Sequence, residues 1–142
     1  MMKISAILAT KGTRVILIGR GKSIKDAVSL LCEHNIGALV VTDDAGGLVG
    51  ILSERDIVRA AATVADLLAQ PVSQVMTTSV ITCRPQDDLE AVANTMTEKR
   101  FRHLPVVDKD NLVGIVSIGD VVKVQRDQYR GEVDTLQIQI ME

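Results

Sequence analysis

A twelve-residue segment of this chain occurs twice, with its copies 64 positions apart. Residues 48–59 read LVGILSERDIVR and residues 112–123 read LVGIVSIGDVVK, so seven of the twelve positions are identical without a gap. Three more positions exchange Leu for Val, Ile for Val, or Arg for Lys and keep their chemistry. A match of this length at a fixed offset indicates an internal duplication, and that duplication constrains the fold more than any other feature.

The same order of elements is predicted in both halves. Apolar β-branched runs bounded by Gly, Pro or Asp indicate strands, and apolar residues at helical spacing indicate helices. Each half therefore reads strand, helix, strand, turn, strand, helix. The predicted strands cover residues 13–18, 38–42 and 48–52 in the first half, and 79–83, 103–107 and 112–116 in the second.

The repeats set the expected domain organisation. We predict repeat 1 at residues 4–64, a linker at 65–72, repeat 2 at 73–127 and a helical tail at 128–142. A half of about 60 residues is marginal for an independent core, so the two repeats are expected to pack on each other. Each repeat begins with a short lead-in helix, because residues 73–76 resemble residues 5–8. The tail has an apolar helical face made of Val133, Leu136, Ile140 and Met141.

Composition excludes several classes of partner. The net charge is −2 and Phe101 and Tyr129 are the only aromatic residues, which argues against a nucleic-acid surface. No apolar run approaches the roughly 18 residues that span a bilayer, and the N-terminal apolar stretch is too short for a signal peptide. Cys32 and Cys83 are expected to be reduced thiols in a cytoplasmic protein.

The repeated segment carries a Ser and an Asp three residues apart: Ser53 with Asp56, and Ser117 with Asp120. In one interpretation they form a capping box at a helix start. In the other, the Ser hydroxyl and the free N–H groups of the helix start hold a phosphate, while the Asp accepts both hydroxyls of a ribose. The two interpretations are compatible, because the same side chains can cap the empty form and bind ligand.

The whole chain resembles a tandem pair of CBS domains, the regulatory modules named after cystathionine β-synthase. The resemblance rests on IGALVV at 36–41 with GILSERD at 50–56, and on FRHLPVVD at 101–108 with GIVSIGD at 114–120. It covers residues 4–127. It implies an α+β fold in which two β-α-β-β-α repeats, related by a pseudo-twofold axis, pack sheet to sheet.

The resemblance also implies two clefts that bind adenosine-containing ligands such as AMP, ADP, ATP, NAD or S-adenosylmethionine as regulatory ligands, without catalysis. Ser would contact phosphate and Asp the ribose, while backbone and aliphatic groups would contact adenine. The expected ligand-binding residues are Ser53, Arg55, Asp56, Ile18 and Ala38 in the first copy, and Ser117, Asp120, Ile81, Thr82, Arg100, Arg102, His103 and Pro105 in the second.

The copies differ at positions that bear on the ligand. Arg55 stands where the second copy has Gly119, and Arg102-His103 stand where the first has Gly37-Ala38. Each cleft would then draw its phosphate-binding cation from a different element and differ in affinity. The basic residues around His103 are equally consistent with a solvated face.

The expected function is an energy-sensing or related regulatory module that forms a homodimer and signals to an unidentified partner protein. The alternative is a structural or oligomerisation module whose clefts stay empty. An enzyme is disfavoured. The GRGKS at 19–23 lacks the earlier Gly of a P-loop, and Cys32, His34 and His103 lack metal-ligand spacing. Ser117, His103 and Asp120 lack a nucleophile elbow.

Overall fold

The computed structural model describes the backbone of residues 2–141 and the side chains of residues 2–133. The described residues form five α-helices and five strands, and the strands make two small sheets, so the fold is α+β. In chain order they are α1 (Ile4–Lys11), β1 (Leu17–Gly19), α2 (Ile24–His34), β2 (Ala38–Thr42), β3 (Leu48–Ser53), α3 (Glu54–Ala61), α4 (Leu89–Lys99), β4 (His103–Asp108), β5 (Asn111–Ser117) and α5 (Ile118–Met141). Two short 3₁₀ helices, Leu67–Ala69 and Val72–Gln74, lie between α3 and α4.

The chain divides into two compact units that do not coincide with the two sequence repeats. Residues 14–82 form the first, here called the central unit, and residues 1–13 with 83–142 form the second, the terminal unit. The helix α1 that begins repeat 1 thus belongs with the sheet of repeat 2. Similarly, the 3₁₀ helix Val72–Gln74 at the start of repeat 2 belongs with the sheet of repeat 1.

In the central unit, three strands form a sheet in the order β1-β2-β3, with β1 parallel and β3 antiparallel to β2. Helix α2 begins where the Ser23 hydroxyl accepts the Asp26 N–H at 3.1 Å, and it ends at Asn35 in the left-handed conformation. The apolar faces of the sheet and of α2 share one aliphatic core, composed of Ile18, Ile24, Ala27, Leu31, Leu39, Val41, Leu52 and Val72.

In the terminal unit, β4 and β5 form an antiparallel hairpin. Asp88 caps the N-terminus of helix α4, because its carboxylate accepts the Ala91 N–H. The first N–H groups of helix α1 also have partners: Ile4 N–H donates to the Asp87 carbonyl and Ser5 N–H to the Pro85 carbonyl. Helix α5 is 24 residues long and includes residues 128–141 of the predicted tail. The apolar tail face predicted from the sequence depends on Leu136, Ile140 and Met141, whose side chains lie outside the described residues.

The predicted strand at residues 79–83 is not formed, and Pro105 explains why. Only Cys83 pairs, through Cys83 N–H to Pro105 O at 3.0 Å and Val107 N–H to Cys83 O at 2.8 Å. The next bond of a parallel ladder would run from the N–H of residue 105 to Ile81, and proline has no N–H. In the central unit the residue aligned with Pro105 is Val40, and its N–H does donate to Ile16 O at 3.2 Å. The first predicted strand is also shorter than expected, beginning at Leu17 rather than residue 13.

Candidate functional site

Ser53 and Asp56 meet at the start of α3, directly after β3. The Ser53 hydroxyl accepts the Asp56 N–H at 3.2 Å, and Asp56 Oδ2 accepts the Ser53 N–H at 3.0 Å. This reciprocal pair is a capping box, and both residues are half-buried. In the first turn of α3 the Glu54 N–H donates to the Gly37 carbonyl and the Asp56 N–H to the Ser53 hydroxyl, so any anion here would be favoured by the positive end of the helix dipole.

Ser117 and Asp120 repeat this geometry at the start of α5 in the terminal unit. The Ser117 hydroxyl accepts the Asp120 N–H at 3.1 Å, and Asp120 Oδ2 accepts the Ser117 N–H at 2.9 Å. Each Ser and Asp predicted from the repeat is therefore brought together with its partner. The capping interpretation is confirmed for both pairs, and it leaves the ligand-binding interpretation open.

The segment that begins each repeat is here called the lead-in segment, residues 4–11 in repeat 1 and residues 72–77 in repeat 2. The two Asp carboxylates bond to different residues of these segments. Asp56 Oδ1 accepts the Thr77 hydroxyl at 3.2 Å, whereas Asp120 Oδ2 accepts the Lys11 ammonium at 2.7 Å. Lys11 Nζ also donates to the carbonyl of Ile115 at 3.0 Å. One site is thus completed by a neutral hydroxyl and the other by a cation.

The Lys11–Asp120 pair is only partly screened by water, because the two side chains are 33% and 24% exposed. Burial alone raises the pKa of Asp120, but the hydrogen bonds from Lys11 and from Ser117, with the positive charge of Lys11, outweigh it and lower that pKa below 3.8. Asp120 is therefore a carboxylate at neutral pH and a ready hydrogen-bond acceptor.

The residue opposite the signature Ser differs between the two units. Ala38 pairs with Ser53 across β2 and β3, and His103 pairs with Ser117 across β4 and β5. In both units the residue just before this position supplies the carbonyl that receives the first helical N–H: Glu54 N–H donates to Gly37 and Ile118 N–H to Arg102. The sequence alignment of Gly37-Ala38 with Arg102-His103 is thereby confirmed in three dimensions.

The other predicted ligand-binding residues are spread more widely. Ile18 pairs with Val41, three register positions along β2 from Ala38, and lines a cavity of about 440 Å³ beside β1 and α2 that does not include Ser53 or Asp56. The other five predicted ligand-binding residues lie on different elements. Arg55 is in the first turn of α3, and Ile81 and Thr82 are at the end of the central unit. Arg100 follows α4 in the left-handed conformation, and Pro105 is buried in β4.

Sequence reasoning missed Thr77 and Lys11. The alignment of residues 73–76 with 5–8 located both lead-in segments, so the segments were visible in the sequence. Which sheet each segment joins was not visible, because it depends on contacts 21 and 109 residues apart in the chain.

The comparison with protein families settles what this arrangement belongs to. The protein-family model described as "CBS domain" matches this chain twice, at residues 6–63 and 72–127. This chain belongs to the CBS domain family. Its two CBS domains carry the capping-box pairs of α3 and α5, one in each match.

Other CBS domain proteins align with most of the chain. The CBS domain-containing protein YhcV of Bacillus subtilis is 37% identical over 117 residues, which are 82% of this chain and 83% of that protein. The crystal structure of a CBS-domain protein of Agrobacterium tumefaciens, ATU1752, has a TM-score of 0.83 and 42% identity, and covers 87% of this chain and 92% of that one.

A third CBS structure contains ligands. The CBS domain pair of protein MJ0100, in complex with 5′-methylthioadenosine and S-adenosylmethionine, has a TM-score of 0.80 and 29% identity to this chain. The alignment covers 90% of this chain and 98% of that one.

Among the helices of this CBS pair that the structure describes, none has the length and apolar character to cross a membrane.

Proposed function

We propose that this CBS domain pair is a non-catalytic regulatory module that binds adenosine-containing ligands. Ser53 with Asp56, and Ser117 with Asp120, would be its two ribose-phosphate sites. The observation that carries the proposal is the half-buried carboxylate beside a Ser hydroxyl at a helix N-terminus, formed in both units. The MJ0100 complex, in which a similar CBS pair holds two adenosine derivatives, supports the class of ligand.

AMP, ADP, ATP, NAD and S-adenosylmethionine are all candidates, because they share the adenosine half that an Asp carboxylate would hold by its ribose. Selection among them would depend on groups outside the adenosine. Arg55, Arg100, Arg102 and His103 are proposed to contribute there, with Ala38, Ile18, Ile81, Thr82 and Pro105 on the adenine side.

Thermal unfolding with each candidate ligand tests the proposal. A ligand at 100 times its dissociation constant should stabilise the folded state by about 2.7 kcal/mol. Asp56→Asn and Asp120→Asn should each remove one site, since the amide keeps the side chain's shape but loses the charge that accepts two hydroxyls. Asp44→Asn, in the exposed first hairpin turn, is the matched control and should bind like the parent chain.

Two results would overturn the proposal. One is the absence of any thermal shift with all five ligands at millimolar concentration. The other is unchanged binding in the Asp56→Asn, Asp120→Asn double variant, which would show that these carboxylates serve only as helix caps.

Signalling is proposed to follow from linkage: a ligand that prefers one arrangement of the CBS pair shifts the population towards it, and a partner protein in the cytoplasm reads the change. We also propose a homodimer. Val122 and Tyr129 lie seven residues apart on one face of α5, and their side chains are 53% and 67% exposed. Sedimentation of Val122→Glu against the parent chain tests this, and identical monomeric sedimentation of both would contradict it.

The second candidate function is a structural module whose dimerisation is its only role. The same exposed pair on α5 favours it, independently of any ligand. A chain that dimerises but gives no thermal shift with any adenosine ligand would establish this alternative.

A further inference from the structure

Lys11 donates to two acceptors at the Asp120 site, one oxygen of the carboxylate and one backbone carbonyl. Its ammonium donates to Asp120 Oδ2 at 2.7 Å and to Ile115 O at 3.0 Å, and it reaches them from α1, far away in the sequence. A ribose that used Asp120 in the proposed way would bring its own hydroxyl donors to this carboxylate. Lys11 and a ribose that uses both carboxylate oxygens therefore compete for Asp120 Oδ2.

Displacing Lys11 has an electrostatic cost that depends on the ligand. A neutral nucleoside separates the ammonium from its carboxylate and offers no replacement charge. A ligand with a phosphate offers one, because the proposed phosphate position lies at Ser117. The Ser117 N–H and Lys11 Nζ both contact the same oxygen, Asp120 Oδ2, so the ammonium already lies beside that helix start.

The Asp56 site has no such requirement. Its lead-in partner is the Thr77 hydroxyl, which is neutral and can rotate to accept from a ribose hydroxyl as well as donate to Asp56. Thr77 and Asp56 are joined by a hydrogen bond and not by an ion pair, so a nucleoside without a phosphate can bind here without separating two charges.

We propose that Lys11 is a specificity-determining residue that makes the Asp120 site selective for phosphorylated adenosine ligands, whereas the Asp56 site with Thr77 tolerates uncharged ones. This inference rests on the proposed function, since it assumes that Asp120 accepts a ribose. In the empty site Lys11 holds the carboxylate oxygen that the ribose would need. In the occupied site its ammonium would pair with the phosphate of the ligand.

The test measures adenosine and AMP by calorimetry in an Asp56→Asn background, which leaves only the Asp120 site. Lys11→Met keeps the length of the side chain but removes its charge. We expect adenosine to bind more tightly and AMP more weakly, so that the AMP-to-adenosine affinity ratio falls by about tenfold or more. Lys11→Arg should keep most of the ratio, and Lys25→Met, which removes an exposed lysine in α2, should leave it unchanged.

The complementary measurement uses an Asp120→Asn background and Thr77→Lys. Placing an amine beside Asp56 should raise the AMP-to-adenosine ratio of that site above the ratio of the Thr77 parent.

The outcomes separate this inference from the proposed function. If neither adenosine nor AMP binds before or after Lys11→Met, the proposed function is wrong. If both bind and the ratio does not change with Lys11→Met, the proposed function stands and Lys11 is only a surface ion pair. A ratio that falls equally in Lys25→Met would show a general effect of net charge and would overturn the inference as well.

Discussion

Gly50 packs directly against Met76: a Cβ built on Gly50 would lie 2.7 Å from Met76 Sδ and 2.9 Å from the carbonyl oxygen of Thr77. The same relationship joins Gly114 and Leu8 in the terminal unit, where the added Cβ would lie 2.7 Å from Leu8 Cδ2. In each unit a lead-in segment lies against the glycine of the facing strand, so an added side chain would require its neighbour to move: backbone at Gly50, and the end of a side chain at Gly114. The glycine of each Gly-Ile-x-Ser segment is thus explained by packing.

Gly50→Ala should destabilise the chain more than Gly114→Ala. The alanine at position 50 would meet backbone at Thr77, which is held by two hydrogen bonds to Ile51, whereas at position 114 it would meet only the movable end of Leu8. We expect Gly50→Ala to lower the free energy of unfolding by about 1–3 kcal/mol. Urea unfolding checks this, with Gly21→Ala as a control because nothing lies within 4 Å of its Cβ position. Equal losses at positions 50 and 114 would contradict the packing explanation.

Asp120 should stabilise the fold only at pH values where its carboxyl group is ionised. Its folded pKa is lower than its unfolded value of about 3.8, so its contribution is complete above that value and is lost as the pH falls through the folded pKa. At pH 7, Asp120→Asn should cost roughly 1 kcal/mol or less, because the ion pair is partly exposed. Unfolding curves measured from pH 7 down to about pH 2 should show the parent and the variant converging. A constant difference over that range would argue against the Lys11–Asp120 pair.

The two cysteines should react at very different rates. Cys32 is exposed on α2, whereas Cys83 is buried, and burial with the nearby charge of Asp87 raises the pKa of its thiol to about 12. Because the thiolate is the reactive form, a thiol reagent at pH 8 should label Cys32 quickly and Cys83 only on unfolding. Mass spectrometry of the labelled chain before and after addition of guanidinium measures this. Rapid double labelling of the folded chain would be inconsistent with a buried Cys83.

Asp110→Gly should stabilise the second hairpin. Lys109 and Asp110 have φ of 50° and 68°, so the two-residue turn between β4 and β5 places two side-chain-bearing residues in the left-handed region. Glycine adopts that conformation without steric cost, and we expect a gain of about 0.5–1 kcal/mol in the free energy of unfolding. Asp44→Gly, in the first turn at a residue without positive φ, should instead lose stability. Thermal unfolding of the two variants compares them directly.

Local patterns in the sequence predicted the elements and the signature pairs well. The Ser-x-x-Asp spacing led to capping boxes at α3 and α5. The offset between the copies is 65 before the hairpin turn and 64 after it, which places a one-residue length difference in that turn. In the structure the longer turn is closed by Asp43, whose carboxylate accepts N–H groups from Ala45 and Gly47. Both features depend on residues within five positions of one another, where sequence spacing and spatial distance agree.

The features that the sequence did not predict depend on tertiary contacts. The β-branched run at 79–83 has strand propensity, but its ladder stops because the opposing strand has Pro105 where the other unit has Val40. The partners of the two signature Asp residues come from distant lead-in segments, so Thr77 and Lys11 had no local signal. Pro105 was visible in the sequence, and its missing N–H would have predicted the shortened strand once the parallel register was known.

Neither sequence repeat contains a complete folded unit. A fragment that ended at residue 64 would keep β3 but lose Thr77, whose N–H and carbonyl both bond to Ile51. It would also carry α1 without the Pro85 and Asp87 carbonyls that receive the first N–H groups of that helix. Cutting the chain between the repeats therefore produces two incomplete pieces, each bearing a segment that belongs to the other. Each folded unit is completed by a segment from the other sequence repeat, so the two repeats need each other to fold.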